Sequence, residues 1–158
     1  KYNNISFNVE INNQSISDLF SSIKNEVLLV KNNNNGYYLP SYNVDLIHNI
    51  DITNSYEVYL SSNKSQSIVI SGKPINLNKT IVIYHSQINY LPYYPQERRN
   101  IENVFANYID NILLVYNDNA EYYVPSYNIN QIKDMCPGLG YYVYIKGTNN
   151  IEFTYATI

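Results

Sequence analysis

The sequence predicts an α+β fold of two tandem, pseudo-symmetric units, each with a small mixed or antiparallel sheet, one main helix and a short helical turn. Three observations predict it: a long internal repeat, an apolar stripe at helical spacing in each half, and short apolar runs separated by turn residues. The predicted units are residues 1–78, which lack a first strand, and residues 79–158. The chain has 158 residues, which is enough for two small domains.

The internal repeat becomes visible when the chain is shifted by 85 positions. Residues 15–60 then lie on residues 100–145 without a gap, and 17 of the 46 aligned positions are identical. The longest matching run places Tyr37–Asn43 on Tyr122–Asn128. Identical residues in the same order over this length indicate a duplicated structural unit.

Each unit opens with a short strand, predicted at Asn4–Val9 and at Ile88–Leu91. Ser15, with Asp18 three residues later, predicts a helix start of the capping-box type, and Asn100 holds the same place in the second unit. The helix itself is predicted by apolar residues at intervals of three and four: Ile16, Leu19, Phe20 and Ile23, then Ile101, Val104, Phe105 and Tyr108.

A hairpin, a short helix and two more strands complete each unit. Val27–Val30 is predicted to be a buried strand, and the loop Asn32–Gly36 turns it back into Tyr37–Leu39. Apolar residues at spacing three then predict one or two helical turns: Val44, Ile47 and Ile50, and in the second unit Ile129, Ile132 and Met135. The closing strands are predicted at Tyr56–Leu60 and Ser67–Ser71, and at Tyr141–Ile145 and Ile151–Tyr155.

A known family is resembled by most of residues 81–158 and, more faintly, by residues 1–72. Segment 114–143 contains the run Asn-x-x-x-Ile-x-x-Met-x-Pro-Gly-x-Gly-Tyr, which ends at Tyr141. This run resembles a small α+β repeat, often tandem, of large secreted and cell-surface proteins of Bacteroidetes-type bacteria, which has no assigned catalytic activity. The resemblance implies an extracellular or cell-surface context with a structural or adhesive role. Phage structural proteins rich in Asn and Ile are the competing interpretation, with the virion as the location.

Composition excludes several classes of protein. The net charge is −3 without a basic patch, so nucleic acid is not an expected partner. No apolar run approaches the roughly 18 residues that a membrane span needs, so membrane insertion is not expected either. The 19 tyrosines and the asparagines, about one residue in six, predict a neutral surface rich in adaptable contact groups. Such a surface suits contact with other copies of the protein or with glycans.

The residues capable of chemistry do not recur between the halves. His48 aligns with Lys133, and Cys136, the single cysteine, aligns with Asp51. No nucleophile motif, phosphate-binding loop or metal-binding spacing is present. We therefore predict that the protein is not an enzyme and uses no metal or cofactor.

The repeated Tyr-Tyr-(Leu/Val)-Pro-Ser-Tyr-Asn motif allows two interpretations. Its tyrosines could anchor a protein or sugar interface, or they could be core and edge residues of a strand, since neighbouring strand side chains point to opposite faces. The candidate interface residues are Tyr37, Tyr38, Tyr42, Tyr122, Tyr123, Tyr127, Tyr93, Tyr94, Ile151, Phe153 and Tyr155.

A strand predicted at Thr80–His85 has no counterpart in the first unit, where it would lie before Lys1. We therefore expect an open sheet edge beside residues 2–9, and hypothesise that a strand from a neighbouring chain covers it in a head-to-tail polymer. The alternative is that residues preceding Lys1 were cleaved or left out. The predicted function is a non-enzymatic structural subunit that assembles into an extracellular filament or fibre, or into a surface or virion structure. The alternative is an adhesion or carbohydrate-binding module of a larger surface protein.

Overall fold

The computed structural model describes residues 2–11 and 14–156 and confirms an α+β class, with short antiparallel strands and a few short helices. In the first half the strands are β1 (Tyr2–Ile5), β2 (Val27–Lys31), β3 (Tyr37–Leu39), β4 (Val44–Asp45) and β5 (Tyr56–Leu60). In the second half they are β6 (Ile81–Ile83), β7 (Asn89–Leu91), β8 (Arg99–Asn100), β9 (Ile112–Tyr116), β10 (Tyr122–Val124), β11 (Ile129–Asn130), β12 (Asp134–Met135), β13 (Tyr141–Ile145) and β14 (Ile151–Phe153). The α-helices are α1 (Ile16–Leu19) and α2 (Ile101–Val104), and 3-10 turns span Ser21–Glu26, Pro40–Tyr42, Ala106–Tyr108 and Pro125–Tyr127.

Two five-stranded sheets form the body of the molecule. The first has the order β1-β5-β2-β3-β4, and the second has the order β7-β13-β9-β10-β11. The remaining strands form the pairs β8·β12 and β6·β14, and every pair between described strands is antiparallel. In both hairpins a valine faces a tyrosine across the strands, Val30 opposite Tyr38 and Val115 opposite Tyr123. These four side chains are buried, so the hairpin strands were predicted correctly.

The apolar runs of β2 and β9 are not buried throughout. The pairing register shifts between Val27 and Leu29, and it shifts at the matching place opposite β13. Such a bulge leaves one residue unpaired and turns it away from the regular alternation. Leu28 and Leu113 hold this extra position and are exposed, whereas Val30 is fully buried.

Both helices begin where the sequence predicts and are shorter than the apolar stripe suggests. The Ser15 hydroxyl accepts a hydrogen bond from the backbone N–H of Asp18, and the Asn100 side chain accepts one from Glu102. Each α-helix ends after one turn, and α1 continues as a 3-10 turn of sequence SSIKNE. Serine and asparagine side chains bond to nearby backbone and compete with the regular helix. The Ser21 hydroxyl does so by donating to the Asp18 carbonyl at 2.8 Å.

The second predicted helix, over Val44–Ile50 and its counterpart, is wrong. The helical turn lies earlier, at the Pro-Ser-Tyr segment, and Val44 enters strand β4. Asn43, just before this stretch, has a φ of 58°, and His48 within it has a φ of 67°; Asn128 and Lys133 repeat these positive values. This left-handed conformation cannot continue a right-handed helix, so the spacing of three comes from a turn instead.

Three predicted strands differ from those observed. The first strand lies at Tyr2–Ile5, about two residues earlier than expected. The closing strand of the second half is the shorter Ile151–Phe153, which pairs with β6 within the predicted Thr80–His85. The predicted strand Ser67–Ser71 is not observed: these residues have no regular secondary structure, and they pair with no other described residue.

The expected open edge beside residues 2–9 is covered by the chain itself. Ile5 forms an antiparallel bridge with Leu139, and the N–H of Gly140 donates to the Asn4 carbonyl at 3.0 Å. A bridge between Val9 and Pro74 continues the cover. The turn before β13, from the second half of the chain, therefore occupies the place that we had assigned to a neighbouring molecule.

The contacts between the halves come in matching pairs. Besides the bond from Gly140 to Asn4, the N–H of Ser55 donates to the Tyr90 carbonyl at 3.2 Å. Ser55 and Gly140 hold corresponding positions in the two halves, and they touch. A Cβ added to Gly140 would lie 2.3 Å from the Cβ of Ser55. Only one of these two positions can therefore carry a side chain.

Candidate functional site

A cleft of about 380 Å³ lies where the first and second sheets meet. Side chains of both sheets line it: Tyr2, Glu57 and Tyr59 from β1 and β5, and Tyr90, Tyr116 and Tyr142 from β7, β9 and β13. The asparagine-rich hairpin loop between β2 and β3 also contributes to its lining. We call these residues the tyrosine cleft.

Glu57 is the buried acid of the tyrosine cleft, and two hydroxyl groups of the second sheet bind it. Tyr142 donates to its Oε2 at 2.6 Å, and Tyr90 donates to its Oε1 at 3.0 Å. The ammonium group of Lys31 lies 3.8 Å from Oε1, and the Glu57 side chain is only 7% exposed. A carboxylate so far from water needs such partners to remain charged. The acid therefore joins the two sheets through charge-assisted hydrogen bonds.

Aromatic contacts surround this acid. The rings of Tyr116 and Tyr142 are stacked with centroids 4.6 Å apart. The ring of Tyr122 also stacks on Tyr116, with centroids 5.8 Å apart. Tyr90 meets Tyr142 edge-on at 5.0 Å. Contacts of this kind stabilise by about 0.5–1.5 kcal/mol beyond the burial of area, and they fix the shape of the cleft.

Burial and the acid both act on the phenol groups of the cleft. Desolvation raises the pKa of Tyr142 and of Tyr90, and the negative charge of Glu57 and the hydrogen bond to it raise each pKa further. Desolvation also raises the pKa of Tyr116. All three hydroxyl groups therefore stay protonated at neutral and moderately alkaline pH, which Tyr142 and Tyr90 require in order to donate to Glu57.

The tyrosine cleft was not predicted from the sequence. Its central contacts use positions at which the two halves differ: Glu57 corresponds to Tyr142, and Lys31 corresponds to Tyr116. Within each half the two residues face each other on neighbouring strands: Lys31 lies opposite Glu57, and Tyr116 lies opposite Tyr142. The strands of the two halves otherwise match, but one half has an acid facing a lysine where the other has two facing tyrosines. This difference was the sequence signal that could have indicated the cleft.

The candidate interface residues divide into exposed and buried groups. Tyr42 and Tyr127 are each 77% exposed at the end of the 3-10 turn, and Tyr37 and Tyr122 are partly exposed on β3 and β10. Ile151 is half-buried. The remaining six residues are buried: Tyr38, Tyr93, Tyr94, Tyr123, Phe153 and Tyr155.

The buried tyrosines have structural roles that explain their burial. Tyr94 donates to the Ile52 carbonyl at 3.0 Å, and Tyr155 donates to the Pro92 carbonyl at 2.5 Å. The backbone N–H of Tyr93 donates to the hydroxyl of Ser6 at 2.9 Å. A buried phenol needs a partner for its hydroxyl, and backbone carbonyls supply it for Tyr94 and Tyr155.

A second candidate surface is the segment Ser65–Gly72, which has no regular secondary structure. None of its residues makes a hydrogen bond to another described residue. Ile68 and Ile70 pack against the core, whereas Val69 between them is 95% exposed. A cavity of about 280 Å³ lies beside Ile68, and its mixed lining includes the apolar side chain of Phe20. The segment therefore presents backbone groups that pair with no described residue, and we call it the open strand because we treat it below as a strand that a second molecule could pair with.

The residues with reactive or metal-binding side chains are dispersed, and some of them accept hydrogen bonds from the backbone of turns. Among residues 2–11 and 14–156, no group of three or more His, Cys, Asp or Glu is placed to hold a metal ion. Asp45 accepts hydrogen bonds from the backbone of Ile47 and His48, as expected for a turn residue. The N–H of Cys136 donates to the Tyr141 hydroxyl at 2.9 Å. No helix in the described part of the chain is long and apolar enough to cross a membrane.

Comparisons with models of protein families, with curated proteins and with solved structures found no match to this chain.

Proposed function

We propose that the protein is a non-enzymatic structural subunit that associates with copies of itself through the open strand. The proposed setting is an extracellular, cell-surface or virion assembly, in keeping with the resemblance of segment 114–143. The observation that carries the proposal is Ser65–Gly72, whose backbone donors and acceptors bond to no described residue. Unpaired strand edges are templates for pairing with another chain.

In the second half of the chain, the segment that corresponds to the open strand is paired with another strand. Ile68 corresponds to Phe153, which lies in β14 and pairs with Ile81 of β6. The covering strand has the sequence Ile81-Val82-Ile83, and the open strand contains the same tripeptide, Ile68–Ile70. The open strand of a second molecule therefore has the side chains that cover this type of edge.

Two open strands can pair about a two-fold axis at Val69. In this antiparallel register Val69 faces its own copy, and Ile68 faces Ile70 of the second molecule. All four isoleucines then lie on the buried side of a continuous sheet, since directly opposite residues point to the same face. A two-fold contact uses the same surface on both molecules and closes as a dimer.

Growth beyond a dimer requires a second contact, which we assign to the tyrosine turns. Tyr42 and Tyr127 are the most exposed aromatic side chains of the described residues. Each is the last residue of a 3-10 turn, just before a left-handed asparagine, Asn43 or Asn128. Tyrosine side chains present contact area at low conformational-entropy cost. Contacts through these turns would link dimers into a filament.

Cysteine cross-linking tests the strand contact directly. In a Cys136→Ser background, Val69→Cys is expected to form an intermolecular disulfide under mild oxidation, since facing Cα atoms in a β-pair are about 4.5–5.5 Å apart. Val82→Cys, at the matching exposed position on β6, is the control and should remain largely monomeric. Equal cross-linking of the two variants would contradict the proposed register.

Sedimentation and electron microscopy test the assembly. Val69→Pro should give monomers, because proline cannot donate to the ladder, while Val69→Thr should behave like the parent. A double variant, Tyr42→Ala with Tyr127→Ala, should give dimers without filaments. A parent protein that remains monomeric from micromolar to millimolar concentration would rule the proposal out.

We also infer that the chain is a tandem of two pseudo-symmetric units, 1–78 and 79–158. The common strand order, the repeated left-handed residues and the reciprocal bonds of Ser55 and Gly140 support this inference. In an experimental structure, residues 27–60 should superpose on residues 112–145 by a rotation close to a half-turn. A rotation far from that value would contradict the inferred symmetry.

A further inference from the structure

We propose that the tyrosine cleft is a binding site for a neutral saccharide. This site is separate from the open strand, so it does not depend on the proposed self-association. The cleft's volume of about 380 Å³ lies within the range of small-ligand pockets, about 300–1,000 Å³. Its walls come from both sheets, so the fold itself holds them in place.

The charges in the cleft favour a neutral ligand. Lys31 and Glu57 are the charged groups of the lining, and they lie as a pair at 3.8 Å. A cationic ligand would have to displace the ammonium group of Lys31, and an anionic ligand would meet the carboxylate. A ligand without charge disturbs neither group.

The polar groups of the cleft match the hydroxyl groups of a sugar. The two oxygens of Glu57 each accept one phenolic hydrogen bond and have a further lone pair for a ligand hydroxyl. Among the described residues, the hydroxyls of Tyr59 and Tyr116 have no hydrogen-bond partner, so they are available as donors. The side-chain amides of Asn33 and Asn35 add both donors and acceptors at the loop.

The same residues supply apolar contact. The lining includes the rings of five tyrosines and the side chain of Ile88, within a wall that is mostly polar. A saccharide presents C–H surfaces alternating with hydroxyl groups, so it needs both kinds of contact in one wall. A purely apolar ligand would leave the Glu57 carboxylate and the tyrosine hydroxyls without partners, which costs free energy.

The binding test uses the Val69→Pro protein, so that self-association does not interfere. Glucose, galactose, mannose, N-acetylglucosamine and their β-linked disaccharides are titrated, and binding is followed by tyrosine fluorescence and by NMR chemical shifts. At least one saccharide is expected to bind with a dissociation constant in the millimolar range or tighter. Tetramethylammonium chloride and sodium sulfate are the charged comparators. If no saccharide binds, or if a comparator binds more tightly than every saccharide, the proposal is overturned.

A matched pair of variants locates the site. Tyr59→Ala removes part of the wall and should weaken binding at least about tenfold, or by 1.4 kcal/mol. Tyr144→Ala changes the corresponding tyrosine of the second half, which does not line the cleft, and should leave the affinity within twofold. Glu57→Gln should weaken binding while keeping the side-chain volume. Equal losses in the Tyr59 and Tyr144 variants would overturn the assignment.

Discussion

The hydroxyl of Tyr142 donates a 2.6 Å hydrogen bond to Glu57, and the two residues hold corresponding positions in the two halves of the chain. Two residues that the sequence repeat aligns with each other are thus in contact. Because one copy is an acid and the other a phenol, the contact is a charge-assisted hydrogen bond, of the kind that exceeds a neutral one in strength.

Removing this donor should destabilise the fold. Tyr142→Phe leaves one oxygen of a buried carboxylate without its bond, and we expect the free energy of unfolding to fall by about 1.5–3 kcal/mol. Urea denaturation measures the change. Tyr144→Phe, on the same strand but without this bond, should change it by less than about 0.5 kcal/mol. A Tyr142→Phe protein as stable as the parent would show that the bond contributes no stability.

A methyl group on Gly140 should be costly because of what surrounds it. The added Cβ would lie 2.3 Å from both the Asn4 Oδ1 and the Ser55 Cβ. We expect Gly140→Ala to lower the free energy of unfolding by about 1–3 kcal/mol, the usual cost of overpacking. Adding Ser55→Gly should recover part of that loss in thermal denaturation. If the double variant is no more stable than Gly140→Ala alone, the contact between the halves is not its cause.

The stability should fall in alkali. Burial raises the pKa of Tyr56 to about 12, and it also raises those of Tyr90, Tyr94 and Tyr142. In the unfolded chain these phenols ionise near pH 10, so above that pH the unfolded state releases protons that the folded state retains. The stabilisation is complete below about pH 10 and is lost as the pH rises toward 12, by about 1.4 kcal/mol per pH unit and tyrosine.

Absorbance of tyrosinate and circular dichroism, recorded together, check the alkaline prediction. The buried phenols should ionise in the same step in which the secondary structure is lost. Full ionisation of all 19 tyrosines with the circular dichroism unchanged would contradict it.

A glycine at position 133 should stabilise the protein. Lys133 is exposed and has a φ of 65°, a conformation that costs a residue with a Cβ roughly 1–2 kcal/mol. Glycine adopts it freely but loses more entropy on folding, so we expect Lys133→Gly to gain about 0.5–1 kcal/mol. Lys133→Ala keeps the Cβ and should give no gain. Equal thermal midpoints for the two variants would argue against strain at this position.

The elements that the sequence predicts well are those whose signal is local. The hairpin β2–β3 and strand β5 follow from short apolar runs and a turn, and their repetition in the second half strengthens the prediction. The helix at Val44–Ile50 failed because apolar spacing does not report the φ of Asn43 and His48, which are left-handed.

The tyrosine cleft could not be predicted in the same way. Glu57 and Tyr142 are 85 residues apart, and only the packing of one sheet on the other brings them together. The sequence indicated that tyrosines were important, and its candidates included the pairs at 37–38, 93–94 and 122–123. Four of those six side chains are core residues, since a strand buries alternate positions and Tyr93 and Tyr94 bond to residues of the first half.

Where the two halves touch, corresponding positions carry different residues, and this affects which substitutions the sequence can accept. In a dimer of separate identical chains, one mutation alters both sides of the two-fold contact, so an acid would face an acid. Within a single polypeptide the two sides are encoded separately. Position 57 could become an acid while position 142 remained a phenol, and position 140 could lose its side chain while Ser55 kept one. Covalent linkage of the two halves thereby permits an asymmetric cavity between them, which a strictly symmetric pair of subunits could not form.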